Sequence, residues 1–101
     1  MAVAFELSFN GHDATIEKYF AAIQIMGTVP GGKHPDPQCL FHWVRDTGGG
    51  FQVTDVWTSA EAFQHFAETK IGPVSDQVGL PRPAPPRPTP IEVVNFLTAG
   101  A

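Results

Sequence analysis

The sequence predicts a single α+β domain in which one antiparallel sheet carries two helices on one face, with the element order β-α-β-β-α-β. Three observations support this fold class. Alternating apolar residues mark strands, apolar residues at helical spacing mark helices, and clusters of glycine and proline separate them. The chain has 101 residues, of which 43% are hydrophobic and 16% charged. This length and composition suit one domain over residues 1–101 with a core of its own.

The first strand and the first helix form the N-terminal quarter of the chain. Apolar and polar residues alternate over residues 2–9, which is the period of a strand with one buried face. After the Asn10-Gly11 turn, Asp13 is expected to cap a helix, and Gly27 to end it. That helix is predicted to bury one apolar stripe, made of Ile16, Tyr19, Phe20, Ile23 and Met26.

A hairpin and a second helix are predicted for the middle of the chain. Residues 39–45 and 51–57 are rich in β-branched and aromatic residues, and residues 46–50, with three glycines, join them as a turn. Residues 58–61 have a hydroxyl at the cap position and a carboxylate three residues later, which is a capping box. We therefore expect the helix to begin directly after Thr58.

A proline-rich connector and a last strand complete the predicted fold. Residues 81–90 hold six of the ten prolines, and we expect them to extend over about 31 Å as polyproline II. Residues 91–97 are predicted to be the last strand. The complete order is that of a ferredoxin-like sandwich. The connector is longer than a local return needs, so the last strand could cross to a partner subunit or brace it.

Charge, hydropathy and cysteine content exclude several classes of function. The net charge of −4 argues against a nucleic-acid partner, which needs a basic face. No apolar run approaches the length of about 18 residues that a membrane span needs. Cys39 is the single cysteine, and the N-terminus lacks the basic region of a secretory signal, so we expect a reducing cytoplasmic setting.

The hairpin is expected to be apolar on both faces, which predicts a homodimer. Because the helices cover only one face of the sheet, the other is expected to pack against a second copy of the chain, sheet to sheet. Alternation, taken alone, places Phe41, Trp43, Val53 and Trp57 on one face and Leu40, Val44 and Val56 on the other.

Three segments of the chain resemble a known family. They are Phe41-His42-Trp43, Gly49-Gly50-Phe51-Gln52-Val53 and Asp55-Val56-Trp57-Thr58-Ser59-Ala60-Glu61-Ala62-Phe63. With the element order, they resemble the dimeric α/β-barrel superfamily, and more narrowly its antibiotic biosynthesis monooxygenase branch. The resemblance implies a pocket between sheet and helices in each subunit, and face-to-face dimers that form an α/β barrel.

The activities of the resembled family differ among its members. Several oxidise planar polycyclic aromatic substrates with molecular oxygen and without metal or flavin. Others cyclise polyketides, cleave heme or have no known reaction, so the fold alone does not choose between them. The heme-degrading members carry a tryptophan and an axial histidine where this chain has Phe66 and Asp76, which argues against heme cleavage.

His42 is the first candidate for a catalytic residue. It lies between Phe41 and Trp43 on a strand expected to be central, where packing alone favours an apolar residue. An imidazole is suited to proton transfer at neutral pH, so His42 could act as a general base toward a phenol or enol. The alternative is a core imidazole bonded to a backbone carbonyl or to Thr54.

Three further candidates lie on the hairpin. Asp55 interrupts an apolar strand face, and a buried carboxylate needs a partner. It could orient a histidine or hold a proton, or it could pair with Arg45 or with an arginine of a partner chain. Trp43 and Trp57 could bind an aromatic ligand through their flat rings, but the core of a dimer interface is the favoured interpretation for both.

The remaining candidates for substrate contact are spread over the fold. Tyr19 belongs to the buried stripe of the first helix, so its hydroxyl needs a partner and could point into the pocket. His65 is expected on the helix flank, facing solvent or lining the mouth of the pocket. Asn95 interrupts the last strand, where a ligand-facing amide and a hydrogen bond across a dimer are equally open.

No motif in the sequence predicts a metal site or a cofactor. The four histidines, at positions 12, 34, 42 and 65, have none of the close spacings of metal ligands, and Cys39 has no cysteine companion. His34 and Asp36 form a loop pair that we expect to be solvated.

Two functions of different classes follow from these observations. The first is a cofactor-independent monooxygenase, or a related cyclase, that acts on an aromatic or polyketide-like small molecule. The second is a non-catalytic homodimer that binds a small ligand or serves a structural role. In the structural case the pocket would be filled by Phe5, Phe20 and Phe66.

Overall fold

A four-stranded antiparallel sheet is the framework of the structure, a computed structural model that describes residues 2–83 and 89–97. The strands are β1 (Val3–Asn10), β2 (Cys39–Asp46), β3 (Gly50–Trp57) and β4 (Ile91–Glu92). Their spatial order is β2-β3-β1-β4, and every neighbouring pair is antiparallel. This is the strand order of the ferredoxin-like sandwich, so the predicted fold class is confirmed.

The helices form a single layer on one face of the sheet. They are α1 (Ile16–Ile25), α2 (Ala60–Phe66) and α3 (Gly72–Val78), and a π-helical turn over Ala67–Ile71 joins α2 to α3. Gly79 ends α3 in the left-handed conformation, with φ of 80°. Within the described ranges, every helix is too short or too polar to cross a membrane.

Both helix caps lie closer to their helices than the sequence predicted. Thr15, not Asp13, caps α1, and its hydroxyl accepts a hydrogen bond from the Lys18 amide at 3.2 Å. Ser59, not Thr58, caps α2 in the same way. The reason is positional, because a cap residue must be extended directly before the first helical residue.

The core lies between the helices and alternate residues of the two central strands. Phe5 of β1 stacks on Phe63 of α2 with ring centroids 4.0 Å apart, and Phe9 stacks on Phe51 of β3 at 4.8 Å. Trp57 is fully buried. Because side chains alternate along a strand, one face of β1 and β3 supplies the core and the other does not.

The register of the hairpin decides which side chains lie under the helices. Residues paired across two strands share a face, and His42 pairs with Asp55 while Val44 pairs with Val53. His42 and Val44 therefore lie on the helix-covered side. We call this side of the sheet the covered face, defined by Val44, Phe51, Val53, Asp55 and Trp57 together with His42.

Phe41 and Trp43 lie on the opposite side of the sheet, in register with Val56 and Thr54. We call this side the open face, defined by Phe41, Trp43, Thr54 and Val56. The expectation that Phe41 and Trp43 share a side with Val53 and Trp57 was wrong, as was the grouping of Val44 with Val56. Alternation fixes the parity of side chains within each strand, whereas register between strands is set by pairing.

The C-terminal part of the chain is less regular than predicted. β4 has two residues, paired with Val3 and Ala4, in place of the expected strand over 91–97. Residues 84–88 of the proline-rich connector lie outside the described residues. The described residues on either side of them, 81–83 and 89–90, have no regular secondary structure.

Candidate active site

A cleft of about 1080 Å³ lies between the covered face, α1 and the loop that follows α1. Most of its walls are apolar side chains from both layers. They include Leu7, Phe9, Ile16, Ala22, Met26, Phe51, Val53 and Phe66. The cleft is also lined by a few side chains that can act as acids, bases or metal ligands: Tyr19, His34, Cys39, His42 and Asp55. A concave apolar site with a few convergent polar groups is the usual form of a small-molecule site.

Asp55 is the buried centre of this group. It is 2% exposed, and both oxygens of its carboxylate are hydrogen-bonded. Oδ1 accepts from Nδ1 of His42 at 2.5 Å, and Oδ2 accepts from the indole Nε1 of Trp57 at 3.2 Å. The structure thus places Asp55 against a histidine. Arg45, the other partner considered for it, instead donates to Gln52 at 3.0 Å.

Tyr19 extends this network from the helix layer. Its hydroxyl lies 2.6 Å from Nε2 of His42. Because Asp55 can only accept at Nδ1, that nitrogen carries the proton, and in the neutral ring Nε2 is the acceptor. The tyrosine hydroxyl therefore donates to Nε2. The result is a directed chain, Tyr19 to His42 to Asp55, which we call the Tyr19–His42–Asp55 chain.

Burial sets the protonation state of the outer member of the chain. Desolvation, with a smaller contribution from the Asp55 carboxylate, raises the pKa of Tyr19 to about 12. The phenol therefore keeps its proton at neutral pH and serves as a donor. Forming a phenolate at this position is disfavoured, so any proton that Tyr19 gives up must be replaced as it leaves.

The structure also adds His34, which the sequence suggested only as a solvated loop residue. Its half-buried ring lies 5.0 Å from Phe66, 5.4 Å from Trp57 and 5.5 Å from His42, measured between ring centroids. Burial lowers the pKa of His34, although the nearby Asp55 carboxylate opposes this. The expectation of a solvated pair was wrong because the loop folds back over the cleft. Pro35 and Pro37, which stiffen that loop, were the available signal.

The other candidates of the sequence analysis lie elsewhere. Trp57 is in the core beneath the cleft, and it meets the site through its hydrogen bond to Asp55 and its edge contact with the His34 ring. Trp43 is 46% exposed and belongs to the open face, although it also reaches the rim of the cleft. His65 and Asn95 are exposed and do not line the cleft. Their expected contact with a ligand therefore has no support from this geometry.

Two expectations about the contents of the site can be compared with the structure. The cleft is not filled by the aromatic plug that a purely structural role would favour, since Phe5 stacks in the core and Phe20 and Phe66 form walls around open space. Asp76, which the resemblance in the sequence aligned with an axial histidine, is exposed and accepts a hydrogen bond from Arg82 at 3.0 Å.

Comparison with known proteins supports the fold and leaves the activity open. No family model and no curated protein matches the chain. Among solved structures, it is similar to a candidate antibiotic biosynthesis monooxygenase from Deinococcus radiodurans, with a TM-score of 0.53 and 14% identity over all of both chains. At this identity the likeness extends to the fold alone. The chain thus has the ferredoxin-like fold of that protein, and the resemblance in the sequence is confirmed at the level of fold.

Proposed function

We propose that the chain is a cofactor-independent monooxygenase for a small, enolisable aromatic molecule bound in the cleft. The observation that carries this proposal is the Tyr19–His42–Asp55 chain, which ends in a cleft with apolar walls. The fold of the Deinococcus radiodurans protein, described as a candidate antibiotic biosynthesis monooxygenase, also supports it.

The Tyr19–His42–Asp55 chain supplies a base without requiring a buried phenolate. As the substrate gives a proton to the Tyr19 oxygen, the tyrosine proton passes to Nε2 of His42, which lies 2.6 Å away. The imidazolium that forms is stabilised by the Asp55 carboxylate at Nδ1. Tyr19 remains neutral throughout, as its raised pKa requires.

The oxidation step takes its electrons from the deprotonated substrate. For an anthrone, the enolate transfers an electron to molecular oxygen, and the two radicals combine to form a peroxide anion at the former methylene carbon. The proton held on His42 returns to this anion and gives the hydroperoxide. Loss of water from that hydroperoxide leaves a carbonyl. One anthrone and one oxygen molecule thus give one anthraquinone and one water. In this scheme the protein binds the substrate, orients it and moves the proton.

The test is oxygen uptake with dithranol, a dihydroxyanthrone, followed together with the absorbance of the quinone product. We expect Tyr19→Phe and His42→Gln each to lower the enzymatic rate by about 10²- to 10⁴-fold, the usual worth of acid–base catalysis. His12→Gln is the matched control, because the His12 side chain is 95% exposed and lies beside Asp13. Wild-type rates in both site variants would contradict the proposal. Dithranol binding without turnover would instead favour the non-catalytic alternative.

We further propose that the functional unit is a homodimer formed through the open face. Phe41 and Trp43 are 49% and 46% exposed on a sheet surface that the helices leave uncovered. Adjoining exposed aromatic and aliphatic side chains are the usual mark of an association surface. Sedimentation equilibrium at micromolar protein is expected to give twice the mass of the chain, and a monomer at all concentrations would overturn this proposal.

The proposed setting is the reducing cytoplasm. Cys39 is a free and buried thiol, and the fold uses no disulfide within the chain because the sequence has one cysteine. A thiol kept in this state fits a compartment where glutathione and thioredoxin maintain reduction.

A further inference from the structure

Three side chains of different chemistry meet at one end of the cleft. They are the imidazole of His34, the thiol of Cys39 and the carboxylate of Asp55, and one potential ligand atom of each lies within 4.8 Å of the others. Among the residues that the structure describes, this is the group with the donor atoms of a metal centre. We propose that these three residues bind a thiophilic divalent cation of the Zn²⁺ type.

The fold brings the three residues together from distant positions in the sequence. A bulge at Leu40 shifts the register between Cys39 and Phe41. Residues two positions apart on a regular strand lie on the same face. The bulge interrupts this alternation, so Cys39 is buried although Phe41 is exposed. Asp55 lies on the neighbouring strand, and the loop with two prolines folds His34 over both. Neither a residue spacing nor a motif in the sequence predicts that these three residues meet.

The surroundings of two of these ligands hold them in place for a cation. The backbone N–H of Asp36 donates to Nδ1 of His34 at 3.0 Å, and the carbonyl oxygen of Asp36 lies 3.2 Å from the same nitrogen. Binding of a cation at Nε2 therefore selects the tautomer in which Nδ1–H donates to that carbonyl oxygen, the contact that commonly orients a metal-bound histidine. Asp55 is likewise held by two N–H donors, from His42 and Trp57. Each carboxylate oxygen retains a lone pair for a cation.

The charges of the three ligands match those of a divalent cation. Cys39 is buried and its thiol donates to the Phe41 carbonyl oxygen at 3.3 Å, so the unliganded site holds a neutral thiol. Binding replaces the thiol proton by a metal–sulfur bond and releases that proton to solvent. The thiolate and the Asp55 carboxylate then balance the two positive charges, and the neutral His34 adds none.

The donor set also indicates the class of cation and the form of the site. Nitrogen, sulfur and oxygen ligands together are typical of Zn²⁺, whereas Mg²⁺ and Ca²⁺ prefer oxygen alone. Three protein ligands leave a fourth tetrahedral position. All three residues line the cleft, so that position is open to water or to a small molecule bound there.

Titration of the reduced protein with Co²⁺ tests the site directly. Tetrahedral Co²⁺ with a thiolate ligand has a charge-transfer band in the near ultraviolet and intense visible bands, and Zn²⁺ is expected to abolish both by displacement. We expect one cation per chain. Calorimetry of Zn²⁺ binding in buffers of different ionisation enthalpy is expected to show release of about one proton per Zn²⁺.

Variants separate the proposed site from adventitious binding. Cys39→Ser is expected to abolish the charge-transfer band, and His34→Gln to weaken Zn²⁺ binding by at least about tenfold. His12→Gln, at a side chain that is 95% exposed, is the matched control and is expected to bind as the wild type does. Circular dichroism without metal verifies that each variant is folded.

Two results would overturn the proposal. One is a Co²⁺ spectrum without the thiolate band. The other is Zn²⁺ binding that falls equally in His12→Gln and in the site variants, since this would indicate surface histidines. Because these readouts use no organic substrate, their outcome is independent of the oxygen-uptake test.

Discussion

The two faces of the sheet differ in a way that reverses the usual distribution of polarity. The covered face holds a carboxylate that is 2% exposed, and this group is bonded to His42 and Trp57. The open face holds Phe41 and Trp43, with nearly half of each residue exposed. A charged group is thus buried while two large aromatic rings meet solvent.

This contrast separates chemistry from association within one small sheet. Burying a carboxylate is costly unless N–H donors satisfy it, and Asp55 has two such donors. Leaving aromatic rings in solvent is also costly, and a partner would remove that cost. The covered face therefore bears the candidate site, and the open face the proposed dimer contact. Replacing side chains on each face separately tests this division.

The largest effect is expected from truncating the buried tryptophan, with the exposed tryptophan as its comparison. Trp57→Ala removes a fully buried ring and is expected to lower the free energy of unfolding by about 3–5 kcal/mol. Trp43→Ala is expected to lower it by less than about 1 kcal/mol, because its ring is already half in solvent. Urea unfolding at low protein concentration measures both, and equal losses would remove the distinction between the faces.

The same Trp43→Ala variant is expected to have its main effect on self-association. A tryptophan at the centre of an interface typically contributes about 2 kcal/mol or more, so the dimer dissociation constant should rise by about 30-fold. Ile25→Ala, at an exposed apolar residue of α1, is the control. Sedimentation velocity across a concentration series follows the change, and an unchanged constant would show that the open face is not the contact.

A smaller effect is expected from the buried carboxylate. Asp55→Asn places an amide N–H₂ toward one of two N–H donors, which breaks one hydrogen bond and should cost about 1–3 kcal/mol of unfolding free energy. Asp76→Asn breaks only the exposed pair with Arg82 and should cost less than about 1 kcal/mol. Thermal and urea unfolding at neutral pH compare them. A carboxylate that is replaceable without loss would contradict its structural role.

The smallest expected effect is the alkaline pH dependence of stability. The pKa of Tyr19 is about 12 in the folded chain and 10.0 without the fold. Its contribution to stability is therefore complete below pH 10 and is lost as pH rises toward 12, because the unfolded chain releases the phenolic proton first. Cys39 acts in the same direction, from 9.0 to about 12. Tyr19→Phe and Cys39→Ala should each flatten the decline, and an unchanged slope in both would contradict the burial of these groups.

Local pattern was sufficient to predict most of the fold. Alternation predicted β1 and the two hairpin strands, because the face of a strand that packs in the core must be apolar. The stripe of α1 was found only in part by the same rule at helical period: Ile16, Tyr19 and Met26 pack against the core, whereas Phe20 is 43% exposed. The caps were misplaced by one or two residues, at Asp13 and Thr58, since neighbouring polar side chains offer similar capping chemistry. β4 was overestimated because an edge strand extends only as far as its partner pairs with it.

The candidate site was predicted only in part. His42, Asp55 and Tyr19 were each singled out because a polar group in an apolar pattern needs a partner, but their mutual contact was open. His34 was misjudged because its burial results from a loop that folds back over the cleft. The site roles of these residues stay proposals that the variants above can test.

By itself, the sequence determined the order of the elements, the alternation of side chains along each strand and the presence of isolated polar residues among apolar ones. These depend on residues near one another in the chain. Only the tertiary structure decided the register of β2 on β3, the bulge at Leu40 and the position of His34. Those three features bring Tyr19, His42, Asp55 and Cys39 to one cleft, because pairing and loop closure join residues that no local pattern relates.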